Sequence, residues 1–149
     1  MGYTKLSERS GAAMATPQAI ALVNALKNIR VIKSKLAATG GALTSTVFST
    51  SGALSDVNLD NTRAAVGLEF ESLVQNIRAV KPTDPIAAAY PDIHYNLKAQ
   101  IARRNWLAHE YGTTAPIKWS EIADSVFNDI PKIEKGIITA LQAQGYQNP

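Results

Sequence analysis

Apolar residues recur every three or four positions in four stretches of the chain, which is the spacing of one face of an α-helix. Thr16 is a suitable N-cap for the first stretch and Pro17 a suitable first helical residue, while Gly40-Gly41 ends the pattern. The signals predict a helix that begins at Pro17 and ends before Gly40. Its apolar positions are Leu22, Leu26, Ile29, Ile32 and Leu36.

The second and third stretches are equally regular. The second runs from about Asp60 to Val80 and ends at Lys81-Pro82, because the residue before a proline disfavours helical backbone. The third has Asp92 as its candidate cap. The apolar stripes are Val66, Phe70, Leu73, Ile77 and Val80 in the second stretch, and Ile93, Leu97, Ile101 and Ala108 in the third.

The fourth stretch contains an interruption, because Pro131 predicts a kink or a new helix start near Asp129. Residues 83–92 form a connector, and residues 42–57, rich in Ser, Thr and Gly, give no helical pattern. No strand-like alternation competes, so we predict an all-α fold, an antiparallel helical bundle. The apolar positions of the fourth stretch are Ile122, Val126, Ile130, Ile133, Ile137 and Leu141.

Composition adds a few boundaries. The length of 149 residues fits one domain, and we assign residues 1–16 to a flexible N-terminal arm and residues 17–146 to a single helical domain. The chain has no cysteine and two histidines, so we expect no disulfide, no metal centre and no cofactor. A net charge of +3 tolerates an anionic partner without requiring one. No segment has the length and hydropathy of a membrane span, and we expect a cytoplasmic protein.

The segment with the most chemistry is RRNWLAHEYG, residues 103–112, at the end of the third stretch. A helix turns about 100° per residue, which puts Arg104 within the apolar stripe and Asn105 and His109 on an adjacent polar stripe. Arg104 and His109 are then about 140° apart, so spacing alone does not bring them together. They would converge if the arginine reaches round the helix, if the helix loosens near Gly112, or if a second chain faces it.

These residues also have structural interpretations. An arginine on a bundle stripe can pair with a buried carboxylate, and a histidine near a helix C-terminus interacts favourably with the helix dipole. Lys98 and Arg103 are candidate RNA contacts, although solvated helix charges are the simpler interpretation of both. Trp106 and Trp119 are expected to pack in the core rather than to stack on bases. His94 is expected at the surface.

The segment resembles a known family. Arg104-Asn105-Trp106-Leu107-Ala108-His109-Glu110-Tyr111 is similar to the R-N-x-x-x-H-x-Y signature of the HEPN superfamily, and in particular of its HepT-like toxins. The similarity covers about residues 60–140, and residues 1–16 and 42–57 lie outside it. It includes TRAAVGLEFESLVQNI, AYPDIHYNLKAQIARRN, Trp119 and Asp129-Ile130-Pro131.

The resemblance implies a HEPN-like bundle of four to five helices that forms a homodimer or a higher oligomer, with two copies of Arg104 and His109 beside a cleft for RNA. The implied function is the toxin of a type VII-like toxin–antitoxin system, a metal-independent endoribonuclease that acts on tRNA or mRNA, with Asn105 supporting the catalytic pair. The implied partner is a nucleotidyltransferase antitoxin, which inhibits the enzyme by AMPylation of Tyr111.

These roles suit the chemistry of RNA cleavage. The imidazole of His109 titrates near neutral pH and can take the proton of a 2′-OH while that oxygen attacks phosphorus. The guanidinium of Arg104 supplies a fixed positive charge and forked donors for the phosphoryl oxygens. Two alternatives stay open: a module that binds nucleotide or RNA without cleaving it, and a helical oligomerisation subunit in which Arg104 is structural.

Overall fold

A computed structural model describes residues 16–110 and 117–149, except for the side chains of residues 109 and 110. Within these ranges the chain is helical and has no strand, which confirms the all-α prediction and is consistent with a bundle. No helix of the described part is long and apolar enough to cross a membrane. The elements are α1 (Pro17–Ala38), α2 (Ser45–Phe48), α3 (Val57–Arg78), α4 (Pro85–Ala89), a 3₁₀ turn (Pro91–His94), α5 (Leu97–Glu110), α6 (Trp119–Ala123), a π-helical segment (Asp124–Asp129) and α7 (Ile130–Ala143).

The two longest helices, α1 and α3, pack against each other and carry much of the core. Thr16 caps α1 as predicted, because its Oγ1 accepts a hydrogen bond from the N–H of Ala19 at 3.1 Å. Asp56 caps α3 by accepting hydrogen bonds from the N–H groups of Asn58 and Leu59. The helix therefore begins slightly before the predicted Asp60. The apolar stripe predicted for it is buried at every position, Val66, Phe70, Leu73, Ile77 and Val80.

Residues 42–57, which have no helical pattern, are organised by an arginine from α3. Arg63 is 1% exposed. Its guanidinium donates hydrogen bonds to the carbonyl oxygens of Phe48, Thr50 and Gly52 and lies 4.3 Å from the ring centroid of Trp119. This arrangement fixes the segment after α2 against the bundle.

The third predicted helix is divided into two elements. Its first residues form the 3₁₀ turn, and α5 begins only after Asn96, whose φ of 54° lies in the left-handed region. The carbonyl oxygen of Asn96 accepts a hydrogen bond from the N–H of Gln100 at 3.0 Å, which closes the first turn of α5. The prediction that Asp92 caps this helix is therefore wrong.

The left-handed residue also changes which side of α5 faces the core. Gln100 and Leu107 are completely buried, whereas Ala108 is exposed. The predicted stripe continued from Ile93 to Ala108 as if the backbone were helical throughout. Leu97 and Ile101 do pack against the core, but the buried side of α5 is centred on Gln100 and Leu107, so the assignment of Ala108 to the apolar stripe is wrong.

The last predicted helix is also segmented, in agreement with the break expected at Pro131. The π-helical segment ends at Asp129, and α7 starts with Ile130, so Pro131 lies in the first turn, where a missing N–H costs nothing. Further along α7, Gly136 lies directly against the 3₁₀ turn. A Cβ atom at this glycine would be 2.9 Å from the carbonyl carbon of Asp92 and from the nitrogen of Ile93.

Candidate functional site

The structure describes the proposed site residues in part. Arg104 and Asn105 are described on α5. The backbone of His109 belongs to the same helix, but its side chain lies outside the described part, and Tyr111 lies outside the described residues altogether. The predicted meeting of the Arg104 and His109 side chains therefore stays a prediction.

Arg104 lies at a shallow polar groove between α3 and α5. Its Nη2 donates a hydrogen bond to Oε1 of Gln75 at 3.0 Å, and its Nη1 donates one to Oδ1 of Asn105 at 3.4 Å. The two amides orient the guanidinium plane, one from each helix. The groove has a volume of about 300 Å³ and is lined by Glu71, Ser72, Gln75, Asn76 and Arg104.

The far wall of the groove is held to α1. The Nδ2 of Asn76 donates to Oδ1 of Asn28 at 2.7 Å, and the Nδ2 of Asn28 donates to Oε1 of Glu69 at 3.1 Å. This chain of hydrogen bonds ties the polar side of α3 to a second helix. A groove fixed on both sides is better preorganised for a ligand than one built on mobile side chains.

The described side chains that accept hydrogen bonds from the guanidinium of Arg104 are electrically neutral. Within the described part of the chain, Arg104 donates to two amide oxygens and no carboxylate lies within 4.0 Å of it. Its Nε is buried and finds no hydrogen-bond acceptor in the described part of the chain. An arginine has five N–H donors, so this guanidinium keeps both charge and donor capacity for an anion.

Glu71 adds an acid to the same groove. Burial raises the pKa of its carboxyl above the usual 4.5, because removal from water disfavours the charged form. The guanidinium of Arg104 acts in the opposite direction and lowers the pKa, since a nearby positive charge favours the carboxylate. The groove therefore contains a fixed cation and a carboxyl that binds a proton more readily than a free glutamate does.

Arg103, the preceding residue, lies on a different side of α5 and has a different environment. Its Nη1 donates to Oδ2 of Asp129 at 3.0 Å and to Oγ of Ser125 at 2.9 Å. The side chains of Arg103 and Asp129 are only 14% and 11% exposed. The interpretation of Arg103 as a solvated helix charge is therefore wrong, and we assign its guanidinium to the packing of α5 instead of to phosphate binding.

The network around Asp129 includes two more residues of the chain entering α5. Oδ2 of Asp129 also accepts hydrogen bonds from Nε2 of Gln100 at 2.7 Å and from Nδ2 of Asn96 at 3.2 Å. The hydroxyl of Ser125 donates to Oε1 of Gln100. Because these polar groups satisfy one another, the network fixes how α5 is rotated relative to the π-helical segment.

The remaining candidates divide between core and surface. Trp119 is 7% exposed and packs in the core as predicted, whereas Trp106 is only half-buried. Lys98 is exposed on α5 and stays a candidate RNA contact.

The surface position expected for His94 is wrong. This side chain is half-buried beside the C-terminal end of α3. Its Nε2 lies 2.9 Å from the carbonyl oxygen of Ile77 and 2.7 Å from that of Val80, and it donates to these acceptors. His94 therefore caps the end of α3 and joins it to the 3₁₀ turn.

Sequence reasoning missed Glu71 and Gln75, which line the groove from α3. Both occupy polar positions of an amphipathic helix, where solvated side chains are ordinary. Only their i, i+4 spacing would have placed them on one face. Nothing in the sequence shows which helix that face meets.

In the described part of the chain, fold and site together define an all-helical protein with a polar groove, in which no carboxylate lies within 4.0 Å of the arginine. The chain was compared with protein-family models, curated proteins and solved structures, and no match was found in any of the three comparisons. The HEPN resemblance therefore stays a prediction from the sequence. Among the described residues, no group of three or more His, Asp or Glu side chains is arranged to hold a metal ion.

Proposed function

We propose that this protein is the toxin of a toxin–antitoxin pair, an endoribonuclease that cleaves RNA with Arg104 and His109. The observation that supports this most directly is the guanidinium of Arg104, which lies at a polar groove and is held by amides instead of by a carboxylate. The neighbouring Arg103, which has a structural role, pairs with the carboxylate of Asp129 instead.

In the proposed reaction an RNA phosphate enters the groove and accepts hydrogen bonds from Arg104. His109 takes the proton of the adjacent 2′-OH while the 2′-oxygen forms a bond to phosphorus and the bond from phosphorus to the 5′-oxygen breaks. The leaving oxygen takes a proton from water or from an acid of the site. Arg104 stabilises the charge that develops on the phosphoryl oxygens, a task that a metal ion performs in many other nucleases.

A homodimer completes the proposal. Arg104 and His109 are about 140° apart on one ideal helix, so a facing copy of α5 is the simplest way to bring a guanidinium and an imidazole to one phosphate. The proposed antitoxin is a nucleotidyltransferase that attaches AMP to Tyr111. The added phosphate would compete with RNA for the positive charge of Arg104, and the added base would block the cleft.

The direct test is cleavage of RNA by the purified protein in the presence of EDTA. Replacing Arg104 by alanine is expected to lower the rate by about 10²–10³-fold, because one preorganised charge donor is lost. His109→Ala is expected to lower it by about 10²–10⁴-fold, because the general base is lost. The matched control is Arg30→Ala, which removes an exposed arginine of α1 and should leave the rate unchanged.

Cleavage that survives both Arg104→Ala and His109→Ala would remove the proposed site. If the wild-type protein retains RNA in a binding assay but leaves it full-length, the non-catalytic binding module becomes the better interpretation. If neither variant changes RNA binding or cleavage while Arg104→Ala lowers the melting temperature, the chain fits the oligomerisation subunit instead.

A further inference from the structure

A second groove lies elsewhere around α5, between this helix, the segment after α2 and the start of α6. Trp106, two residues after Arg104, is turned about 200° from it and faces this groove. The groove has a volume of about 230 Å³ and is lined by Ser49, Ser51, Trp106, Ile117, Lys118, Trp119 and Ser120.

The two tryptophans of the groove have different roles. Trp119 belongs to the core, where the guanidinium of Arg63 covers one face of its ring and Phe48 contacts it edge-on at 5.6 Å between ring centroids. Trp106 is half-buried, and its ring is covered by the ammonium of Lys118 at 4.4 Å from the centroid. A flexible charged side chain, not a packed one, therefore covers the aromatic surface of Trp106.

Lys118 has few contacts that hold it in this position. Its side chain is 53% exposed, and its ion pair with Oε2 of Glu121 is long, at 3.9 Å. If a planar group stacks on Trp106, the ammonium can move to the edge of that group and pair with a phosphate attached to it. The hydroxyls of Ser51 and Ser120, both exposed, are available at the rim for hydrogen bonds to a base edge or a ribose.

We propose that this groove is a subsite for one nucleotide of single-stranded RNA, with the base stacked on Trp106 and the phosphate paired with Lys118. An aromatic face beside a cation and hydroxyls is the combination with which proteins bind unpaired bases. The volume is below that of pockets for drug-sized ligands, which suits a single base. The inference takes its ligand class from the proposed ribonuclease function, but Arg104 and His109 form no part of the subsite.

Tryptophan fluorescence tests the subsite without requiring cleavage. The chain has two tryptophans, and both line the groove. Since Trp119 is only 7% exposed, a ligand that stacks in the groove changes chiefly the emission of the more exposed Trp106. The probe is a short oligoadenylate with 2′-O-methyl groups, which the proposed enzyme cannot cleave because the attacking hydroxyl is blocked. We expect saturable quenching by this oligonucleotide and none by ribose 5-phosphate at the same concentration.

Variants then assign the binding to the two side chains. Trp106→Leu is expected to weaken binding of a fluorescently labelled oligonucleotide about tenfold, measured by anisotropy. Lys118→Ala is expected to weaken it and to reduce its salt dependence, because one phosphate contact is lost. Lys132→Ala is the matched control, since Lys132 also covers an aromatic ring, that of Tyr95 at 4.7 Å, but lies outside the groove.

The proposal is overturned if ribose 5-phosphate quenches the tryptophan fluorescence as strongly as the oligonucleotide does. It is also overturned if the Lys118→Ala and Lys132→Ala variants bind the oligonucleotide equally well. If Trp106→Leu fails to fold, the proposal is tested by fluorescence quenching of the wild type and by the oligonucleotide affinities of Lys118→Ala and Lys132→Ala. Failure of the subsite is distinguishable from failure of the ribonuclease. If the oligonucleotide stacks on Trp106 but unmodified RNA is not cleaved, the subsite is supported and the ribonuclease is not. If RNA is cleaved but Lys118→Ala has no effect on binding, the ribonuclease is supported and the subsite is not.

Discussion

Two neighbouring arginines of α5 have opposite environments. Arg103 binds a carboxylate and a hydroxyl from the π-helical segment, in a network that also includes the side chain of Gln100. The acceptors of Arg104 among the described residues are amide oxygens, and its guanidinium lies at a groove. The difference teaches that one short helix can use one side to fix its orientation and the next side to present a charge.

The two environments also differ in what they do energetically. Burying a charge is costly unless it is paired and hydrogen-bonded, so a network such as that of Asp129 is stable only as a complete set. A half-buried arginine held by two amides keeps more of its charge for a ligand. We therefore expect the Arg103 side to determine stability and the Arg104 side to determine binding and catalysis.

The largest expected effect comes from removing the acid of the network. Asp129→Ala removes the carboxylate that accepts hydrogen bonds from the guanidinium of Arg103 and the amide of Gln100, and we expect it to lower the free energy of unfolding by about 3 kcal/mol. Urea denaturation measures the loss. Asp124→Ala is the matched control, because Asp124 is an exposed acid of the same segment, and it should change stability by less than about 0.5 kcal/mol. Equal effects of the two variants would mean that the network does not anchor α5.

The next effect compares the two arginines directly. Arg103→Ala is expected to lower the free energy of unfolding by about 2 kcal/mol, whereas Arg104→Ala should lower it by less than about 1 kcal/mol, since only hydrogen bonds of partly exposed groups are lost. Denaturation of both variants under the same conditions gives the difference. A loss with Arg104→Ala as large as that with Arg103→Ala would place both arginines in the architecture and end the distinction.

The smallest effect concerns the acid of the groove. Burial raises the pKa of Glu71 in the folded protein above 4.5, so the folded state holds this proton more tightly than the unfolded state does. The contribution of Glu71 to stability therefore falls as the pH rises from 4.5 through the raised pKa. Glu71→Gln should be more stable than the wild type above this window and equal to it below 4.5, as judged by unfolding at a series of pH values.

The same carboxyl also distinguishes the two arginines. Arg104 lowers the pKa of Glu71, so Arg104→Ala should raise that pKa further in an NMR titration of the side-chain carboxyl. Arg103→Ala should leave it unchanged. A Glu71 titration that responds equally to both substitutions would show that the groove does not isolate Arg104 from its neighbour.

Much of the fold follows from the sequence, because local signals coincide with the apolar period. The start of α1 at Pro17, its end before Gly40 and the new helix after Asp129 are all set by proline or glycine next to a regular stripe. In α3 the stripe alone is sufficient, since every predicted apolar position is buried. These helices could be predicted without knowing which other helix each of them contacts.

The site is harder to predict, because its partners are distant in sequence. Asp129 is 26 residues from Arg103, and Gln75 is 29 residues from Arg104. No periodicity reports such pairs. A helical wheel that begins at Ile93 also counts the exposed Ala108 as a core position and misses the buried Gln100 and Leu107. The motif predicts which residues carry chemistry, but it does not predict which side chains contact them.

The glycine at position 136 has a consequence for the precision of both sides of α5. Main chain meets main chain where α7 crosses the turn that leads into α5, with no side chain between them whose rotamer could absorb a displacement. The position at which α5 begins is therefore fixed by contact with the backbone of α7. The guanidinium groups of Arg103 and Arg104, which come from adjacent residues, can then keep different partners, Asp129 for the first and Gln75 for the second.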